Sequence, residues 1–469
     1  MKKFVGRKNE IATFKACASD NQSHFVAVYG RRRVGKTFLI RHVFNDKFTF
    51  YTTGLAKGTL KEQLTVFSLS IKDSFGKETI KIPNTWIEAF RLLIEHLEAS
   101  SDAKKIVFID ELPWMDQRNS NFMTAFEYFW NSWASRRSDI LLIVCGSSAS
   151  WMINKLIKNK GGLHNRVTLR IKLNPFTLKE THEYLSAVGC QYDYTQCLES
   201  YMCFGGIPYY LSLFNKDWSA AQNINYLCFS ENAPLKNEYR IIVQSLFDHP
   251  ENHLRILESI GTKNKGLQRS EIVKLSHVSD GGGLTRILIE LEESGFIRKY
   301  NNFNKKSREV IYQLTDAFSI FHQNFLVAPK YNDANTWLNL INTPVYNTWS
   351  GYAFEIVCLN HTTEIKKALG IDGILTNISS WKNQNAQIDL VIDRADKVIN
   401  LIEIKYAQSE YLITKHYDQN LRNKIAEFKE ATKTRKAVWL VMLTSFGLKN
   451  GLYNGITQKS LDTEVLFGN

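Results

Sequence analysis

Proline is scarce here, with 8 residues in a chain of 469, and long disordered linkers are correspondingly not expected. No stretch approaches the ~18 consecutive apolar residues that a membrane span requires. The opening MKKFVGRKNE holds no apolar signal core, so the expectation is a cytoplasmic protein with no membrane partner. The seven cysteines form no C-x-x-C pair and no Cys/His cluster of zinc spacing, and their number is odd. Buried, reduced thiols fit that usage. The 11 histidines include no H-E-x-x-H pair, and the one H-x-x-x-H spacing, His249 to His253 in HPENH, has no Cys or further His beside it, so a zinc site is not expected. G-x-S-x-G is absent too, and no Ser-His-Asp arrangement stands out. Acidic residues are in deficit, 46 against 59 Lys and Arg, and the net charge of +13 favours a polyanionic partner.

A length of 469 residues exceeds one ordinary core and suggests about three domains. What the chain does contain begins with GRRRVGKT at residues 30–37, directly after the apolar run FVAVY. This is G-x-x-x-x-G-K-[ST], the Walker A pattern, in its required context. A strand precedes it (Phe25–Tyr29), and an apolar helix follows through Phe38, Leu39, Ile40, Val43 and Phe44. Gly30 and Gly35 let the backbone curl so that N–H groups of Arg31, Arg32, Arg33 and Val34 form an anion nest. The positive end of the helix dipole adds to it. Lys36 would reach the β and γ phosphates, and the Thr37 hydroxyl would ligate Mg2+.

The run KIVFIDELPWM predicts a buried central strand at Ile106–Ile109 with Asp110 and Glu111 at its carboxyl end. In open α/β sheets ligands bind at that edge. Asp110 is placed to hold the magnesium ion and Glu111 to polarise the attacking water. A further run, Ile140–Cys145, reads as a third buried strand and ends in GSS. Ser147 or Ser148 would lie near the γ-phosphate as a sensor; an ordinary turn or N-cap is the alternative. Trp114, Trp130, Trp133 and Trp151 read as core or interface aromatics.

FVGRKNEIATF resembles the F-x-G-R-x-x-E-L segment of the archaeal and bacterial "ATPase, type 2" group of AAA+-type ATPases, related to the STAND NTPases. NRVTLRIKLNPFTLKE resembles its G-R-x(n)-L-x-P-F-x-x-x-E segment, with Asn165 in place of the usual glycine. GGIPYYL, residues 205–211, resembles its G-G-I-P-x-Y motif. The resemblance implies that Arg166 serves as an arginine finger or sensor, on its own nucleotide or a neighbour's. It also implies that Pro208 packs near the adenine and that Val5, Gly6 and Arg7 lie close to the base.

Residues 212–250, with Trp218, Tyr226, Leu227 and Phe229 at mixed spacings, predict a helical lid or connector. HLRILESIG, SEIVKLS (Ser270 as N-cap) and LTRILIELEESG (Gly295 at C′) then predict three short helices. FIRKY and VIYQL read as strands around a basic hairpin. That order is the winged-helix plan. From Arg255 to Val310 there are 11 basic and 7 acidic residues, a modest excess for binding a polyanion. The third helix offers Thr285 and Arg286 but also Glu290, Glu292 and Glu293, which repel phosphates. The wing (Arg298, Lys299, Lys305, Lys306, Arg308) is the better phosphate-contacting element. Winged helices in NTPases also serve as protein–protein spacers.

GYAFEIVCLNH predicts an amphipathic helix carrying Glu355. AQIDLVIDRADKVINLIEIKYAQ predicts two strands around the turn Arg394–Lys397. Alternation puts Asp389 on one face and places Glu403 and Lys405 together, with Ile402 and Ile404 pointing oppositely. Carboxylates that hold magnesium beside a lysine are what metal-dependent phosphodiester cleavage needs. A solvated ion pair on a strand face is the alternative. The stretch resembles the PD-(D/E)xK nuclease core, with Ile388 where the motif's name asks for proline. That resemblance implies Asp389 and Glu403 as metal ligands, Lys405 as the catalytic lysine and Glu355 as a helical accessory carboxylate.

The expected fold class is α/β multidomain. A P-loop NTPase parallel sheet spans 1–175, a helical lid 176–250, a winged helix 251–328 and a small α/β restriction-endonuclease-like domain 329–469. The expected activity is ATP hydrolysis with ATP and Mg2+ as cofactors, slow and partner-stimulated, acting as a switch over DNA. Its rival is a non-nucleolytic signalling switch whose partner is a protein or a further copy of the chain. Nothing in the sequence supports a strand-separating motor.

Overall fold

The computed structural model describes residues 4–76, 81–157, 161–163, 165–247, 249–303, 310–327 and 335–468. The chain divides at Pro175/Phe176 into two compact units.

The first unit holds five strands: β1 (His24–Tyr29), β2 (Phe50–Thr53), β3 (Lys105–Asp110), β4 (Ile140–Gly146) and β5 (Leu169–Lys172). They pair in parallel in the order β2-β3-β4-β1-β5. Every residue of β4 is buried, as are Phe25–Val28 of β1. Parallel strands covered by helices on both faces read as unbroken apolar runs, which is why these stood out in the sequence. One core packs Phe25, Val107, Ile109 and Leu142 against Phe67, Trp86 and Phe90 of the flanking helices. Trp130 is buried within it, and Trp133 and Trp151 pack against it. The consequence of the strand order is positional: β4 separates β1 from β3, so its carboxyl end lies between the loop after β1 and the acidic pair after β3.

The second unit, residues 176–469, opens with helices that include Pro208–Leu211, Ala220–Phe229 and Glu238–Leu246. Helices Pro250–Gly261, Arg269–Ser276 and Gly282–Glu293 follow. A three-stranded antiparallel sheet of β6 (Leu267–Gln268), β7 (Ile297–Asn301) and β8 (Val310–Leu314) accompanies them in the order β6-β8-β7. The cap of the second of these helices differs from expectation. It is Gln268, not Ser270, because the Glu271 carboxylate reaches back to accept the Gln268 N–H at 2.8 Å. Gly295 ends the third helix at φ +77, as a left-handed C′ residue should.

A second five-stranded sheet closes the chain: β9 (Thr376–Lys382), β10 (Gln387–Arg394), β11 (Val398–Lys405), β12 (Ala437–Thr444) and β13 (Lys459–Leu461). Its order is β13-β12-β11-β10-β9, with β10 and β11 joined as the hairpin read from the sequence. Strand β11 is buried on both faces from Val398 to Ile404, since Ile399 and Leu401 pack with Leu421 and Phe428 of the helix Lys415–Thr432. The isoleucine-only core face expected for it is therefore half of the picture. Just past the end of β7 the chain leans on this sheet: the Phe303 N–H donates to Ser380 O at 2.8 Å, and the Phe303 ring packs on Phe428 with centroids 5.2 Å apart.

Candidate functional site

At the end of β1 the chain turns through positive φ at Gly30 (+147), Arg33 (+71) and Gly35 (+89) before the helix Lys36–Phe44 begins. A Cβ on Gly30 would stand 2.2 Å from Leu173 O, so only glycine fits there. Arg31 and Val34 are buried, Arg32 is half-buried, and Phe38 is exposed where its ring stacks with Phe4. Lys36 is 6% exposed, and its ammonium donates to Gly30 O (3.0 Å), Arg31 O (3.1 Å) and Ser147 Oγ (3.2 Å). Burial pulls the Lys36 pKa below the usual lysine value, and the nearby carboxylates, Glu111 and Asp110, only partly offset this.

Two short relays tie this loop to the neighbouring strand ends. In the first, Thr37 Oγ1 donates to Asp110 Oδ2 at 2.8 Å, while the Cys145 thiol of β4 donates to Oδ1 of the same carboxylate. In the second, the Glu111 carboxylate accepts from the Ser147 N–H (3.0 Å) and the Ser147 hydroxyl (2.7 Å), and Ser147 meets Lys36. Glu111 adopts φ +45, a conformation of stored strain that clusters at functional sites. Of the two serines read from the sequence, Ser147 enters the network. Cys145 was missed, because a single thiol in an apolar strand carries no motif. These donors suit a triphosphate with magnesium: a curled loop at a helix start, one buried ammonium and a hydroxyl already paired with a carboxylate.

Gly6 and Arg7 both lie at positive φ, beside Val5, and Arg7 Nη2 donates to Asn174 O at 2.6 Å. Arg166 is exposed on the turn after Leu163, outside the two relays. Pro208, in the second unit, is the first residue of its helix.

The second unit carries the other constellation. Glu355 sits on the helix Pro344–Asn360 and Asp389 on β10, where a register shift between Ile388 and Val391 re-aims the strand. Their carboxylates share one cation, the ammonium of Lys265, 2.7 Å from Glu355 Oε1 and 3.0 Å from Asp389 Oδ1. Asp389 Oδ2 also accepts the Ile404 N–H at 3.3 Å. Burial opposes ionisation of Asp389, yet Lys265 and Lys405 outweigh it and leave its pKa below the usual carboxylate value. Burial and the Asp389 charge together push Glu355 upward. Burial disfavours the Lys405 ammonium, but Glu403 and then Asp389 reverse the effect and raise its pKa.

Glu403 departs from the expected ligand set. It is 2% exposed and turns toward the helix Lys415–Thr432, accepting from Tyr417 Oη (2.9 Å) and Lys424 Nζ (2.7 Å), with Lys405 Nζ 3.0 Å away. Among the described residues, no three His, Cys, Asp or Glu side chains gather as a metal-binding group. Lys265, Tyr417 and Lys424 were not singled out in the sequence.

The basic hairpin differs from expectation at Arg298. Arg298 points inward, donating Nε and Nη2 to Gln313 Oε1 at 2.8 and 2.6 Å, and its guanidinium lies over the Tyr300 ring. Such an arginine is spent on internal contacts. Lys299 pairs with Glu292 at 3.1 Å. Lys305, Lys306 and Arg308 lie outside the described residues. All seven cysteines are buried and unpaired. Among the described residues, no helix is long and apolar enough to cross a membrane.

Residues 4–214 match a family described as an ATPase domain predominantly from Archaea. Residues 327–420 match a family of archaeal and bacterial proteins of unknown function. The uncharacterized protein MJECL04 of Methanocaldococcus jannaschii is 25% identical over 413 residues, 86% of this chain and 87% of that one. The uncharacterized ATP-binding protein MJ0423 of the same organism is 41% identical over 44 residues, 9% of this chain and 75% of that one. Among solved structures, the Walker-type ATPase PABY2304 of Pyrococcus abyssi aligns with a TM-score of 0.49 at 16% identity, covering 69% of this chain and 96% of the other.

Proposed function

We propose, on the footing that residues 4–214 match an ATPase-domain family found predominantly in Archaea, that this chain is an AAA+-type ATPase working as a nucleotide-controlled switch on DNA. The observation that carries the reading is the pair of relays, Thr37–Asp110 and Lys36–Ser147–Glu111, converging on one curled loop. Lys36, Thr37 and the N–H groups of residues 31–35 would hold the triphosphate, with Thr37 and Asp110 on its magnesium ion. The ion supplies charge stabilisation for the transferred phosphoryl group. Glu111, held by Ser147, accepts the proton of the attacking water. Ser147 touches both Glu111 and the ammonium that would meet phosphate, which suits it to report nucleotide state. Arg166, exposed and outside the relays, would act as a finger or sensor only in trans or after a rearrangement.

The DNA part of the proposal is supported by the net charge and by the element order of residues 251–327. The C-terminal unit extends it to metal-dependent phosphodiester cleavage, with Glu355 and Asp389 as the ligand pair and Lys405 as the charged partner of Asp389. A magnesium site of one or two carboxylates completed by water fits that pair. A second reading, a signalling switch with a non-catalytic C-terminal domain and a protein partner, is favoured by one observation. The start of the hairpin loop packs on the second sheet through Phe303, and Arg298 is used internally.

Replacing Glu111 with Gln tests the ATPase reading directly. Turnover measured by phosphate release with DNA present should fall by roughly 100-fold or more, while nucleotide affinity is kept. Unchanged turnover in the variant would remove Glu111 from the chemistry.

A further inference from the structure

Lys265 is not part of any motif, yet its ammonium joins two carboxylates of the second unit. It lies on the turn between helix Pro250–Gly261 and β6, far in sequence from the two carboxylates it joins. Its Nζ lies 2.7 and 2.5 Å from the two oxygens of Glu355 and 3.0 Å from Asp389 Oδ1. The carboxylates are nearly buried, with side chains 12% and 11% exposed. Two buried carboxylates side by side repel, and leaving them without a cation is costly.

The turn that presents Lys265 is itself held firmly. Tyr300 Oη donates to Lys265 O at 2.7 Å, and Gln313 Nε2 donates to Asn264 O at 2.7 Å. Gln313 is in turn gripped by Arg298. Gly266 follows at φ +79, where a Cβ would meet Tyr312 O at 2.3 Å, so the turn seats tightly against β8. Residues of β7 and β8 thus position a lysine that reaches from its turn to a carboxylate pair on other elements.

We propose that Lys265 and a divalent cation are alternative occupants of the Glu355–Asp389 pair, so that the β6–β8 sheet keeps the C-terminal centre closed until its turn withdraws. The proposal rests on the reading of that pair as a metal site. The physical basis is exclusion: the ammonium already bonds both carboxylates, and a magnesium ion at about 2.0–2.1 Å from their oxygens would fill the same space. Both cations neutralise the pair, and a second positive charge beside the first is repelled. Displacing the turn exchanges one for the other with no covalent change. The arrangement would make metal loading, and any phosphodiester chemistry depending on it, conditional on movement of the segment that carries Lys265.

The test uses the full chain with Mn2+ as the probe. Free Mn2+ is followed by electron paramagnetic resonance for the wild type, Lys265→Met, Asp389→Asn and the double variant. Lys265→Met should gain Mn2+ affinity by at least 10-fold at one site, and the gain should vanish in the double variant. Thermal unfolding of Lys265→Met should shift upward with Mn2+ more than that of the wild type. Lys265→Gln, which keeps a hydrogen-bond donor without the charge, gives the same comparison if Lys265→Met folds poorly. Equal, Asp389-dependent Mn2+ binding in the wild type and the lysine variants would overturn exclusion by Lys265 while leaving the metal reading intact. No Asp389-dependent binding in any variant would overturn both, and make the triad a structural ion pair.

Discussion

Glycine 30 has two independent reasons to be glycine, its φ of +147 and a neighbouring carbonyl oxygen that a methyl group would strike. Gly30→Ala should therefore destabilise the first unit by about 1–3 kcal/mol and weaken nucleotide binding together with it. Chemical denaturation read beside a nucleotide titration checks this; a variant as stable as the wild type would mean the loop relaxes freely. Lys36, Thr37, Asp110 and Glu111 were legible at this scale because the chemistry fixes both residue type and spacing. Ser147 could not be told from Ser148, since one residue of register decides which hydroxyl faces Glu111. Lys265 was invisible for another reason: its partners Glu355 and Asp389 lie 90 and 124 positions away, and only the fold brings them within reach.

Elements were readable in proportion to how strongly burial patterned them. The three central parallel strands appeared as continuous apolar runs, and the β10–β11 hairpin showed its turn at Arg394–Lys397. The other strands of that second sheet were passed over, although AVWLVMLT at β12 has the same apolar character as β4. The shift in β10 near Asp389 was not legible, because a bulge leaves no residue signature of its own there. One helix carries a pH consequence. In Ala317–Phe325, burial and then the Arg240 charge push the His322 imidazole down to about 4 from 6.5. The folded state thus resists protonation, and as pH falls the unfolded chain takes up the proton first. Stability is complete above about 6.5 and declines until about pH 4, by on the order of 3 kcal/mol. His322→Phe, which keeps a ring against Tyr239, should flatten that part of the urea-midpoint profile. A profile identical to the wild type would show that His322 does not set it.

At the scale of the whole molecule, a net charge of +13 is a statement about partners and gives no geometry. The two readings of the second unit separate here. If DNA is the partner, its affinity should drop roughly 10-fold or more between 50 and 200 mM salt, as counterion release requires for several phosphate contacts. Fluorescence anisotropy with a labelled duplex measures it; no binding even at 50 mM salt would favour the protein-partner reading. Both readings stand downstream of the nucleotide site, and its most direct measurement is titration of the full chain with a fluorescent ATP analogue and Mg2+, in the wild type and Lys36→Ala. The account predicts saturable, magnesium-dependent binding to the wild type and an affinity lowered by roughly 100-fold in a variant that remains folded by circular dichroism, about the loss of one charged hydrogen-bonding group. A folded Lys36→Ala protein that binds the analogue as tightly as the wild type would contradict it.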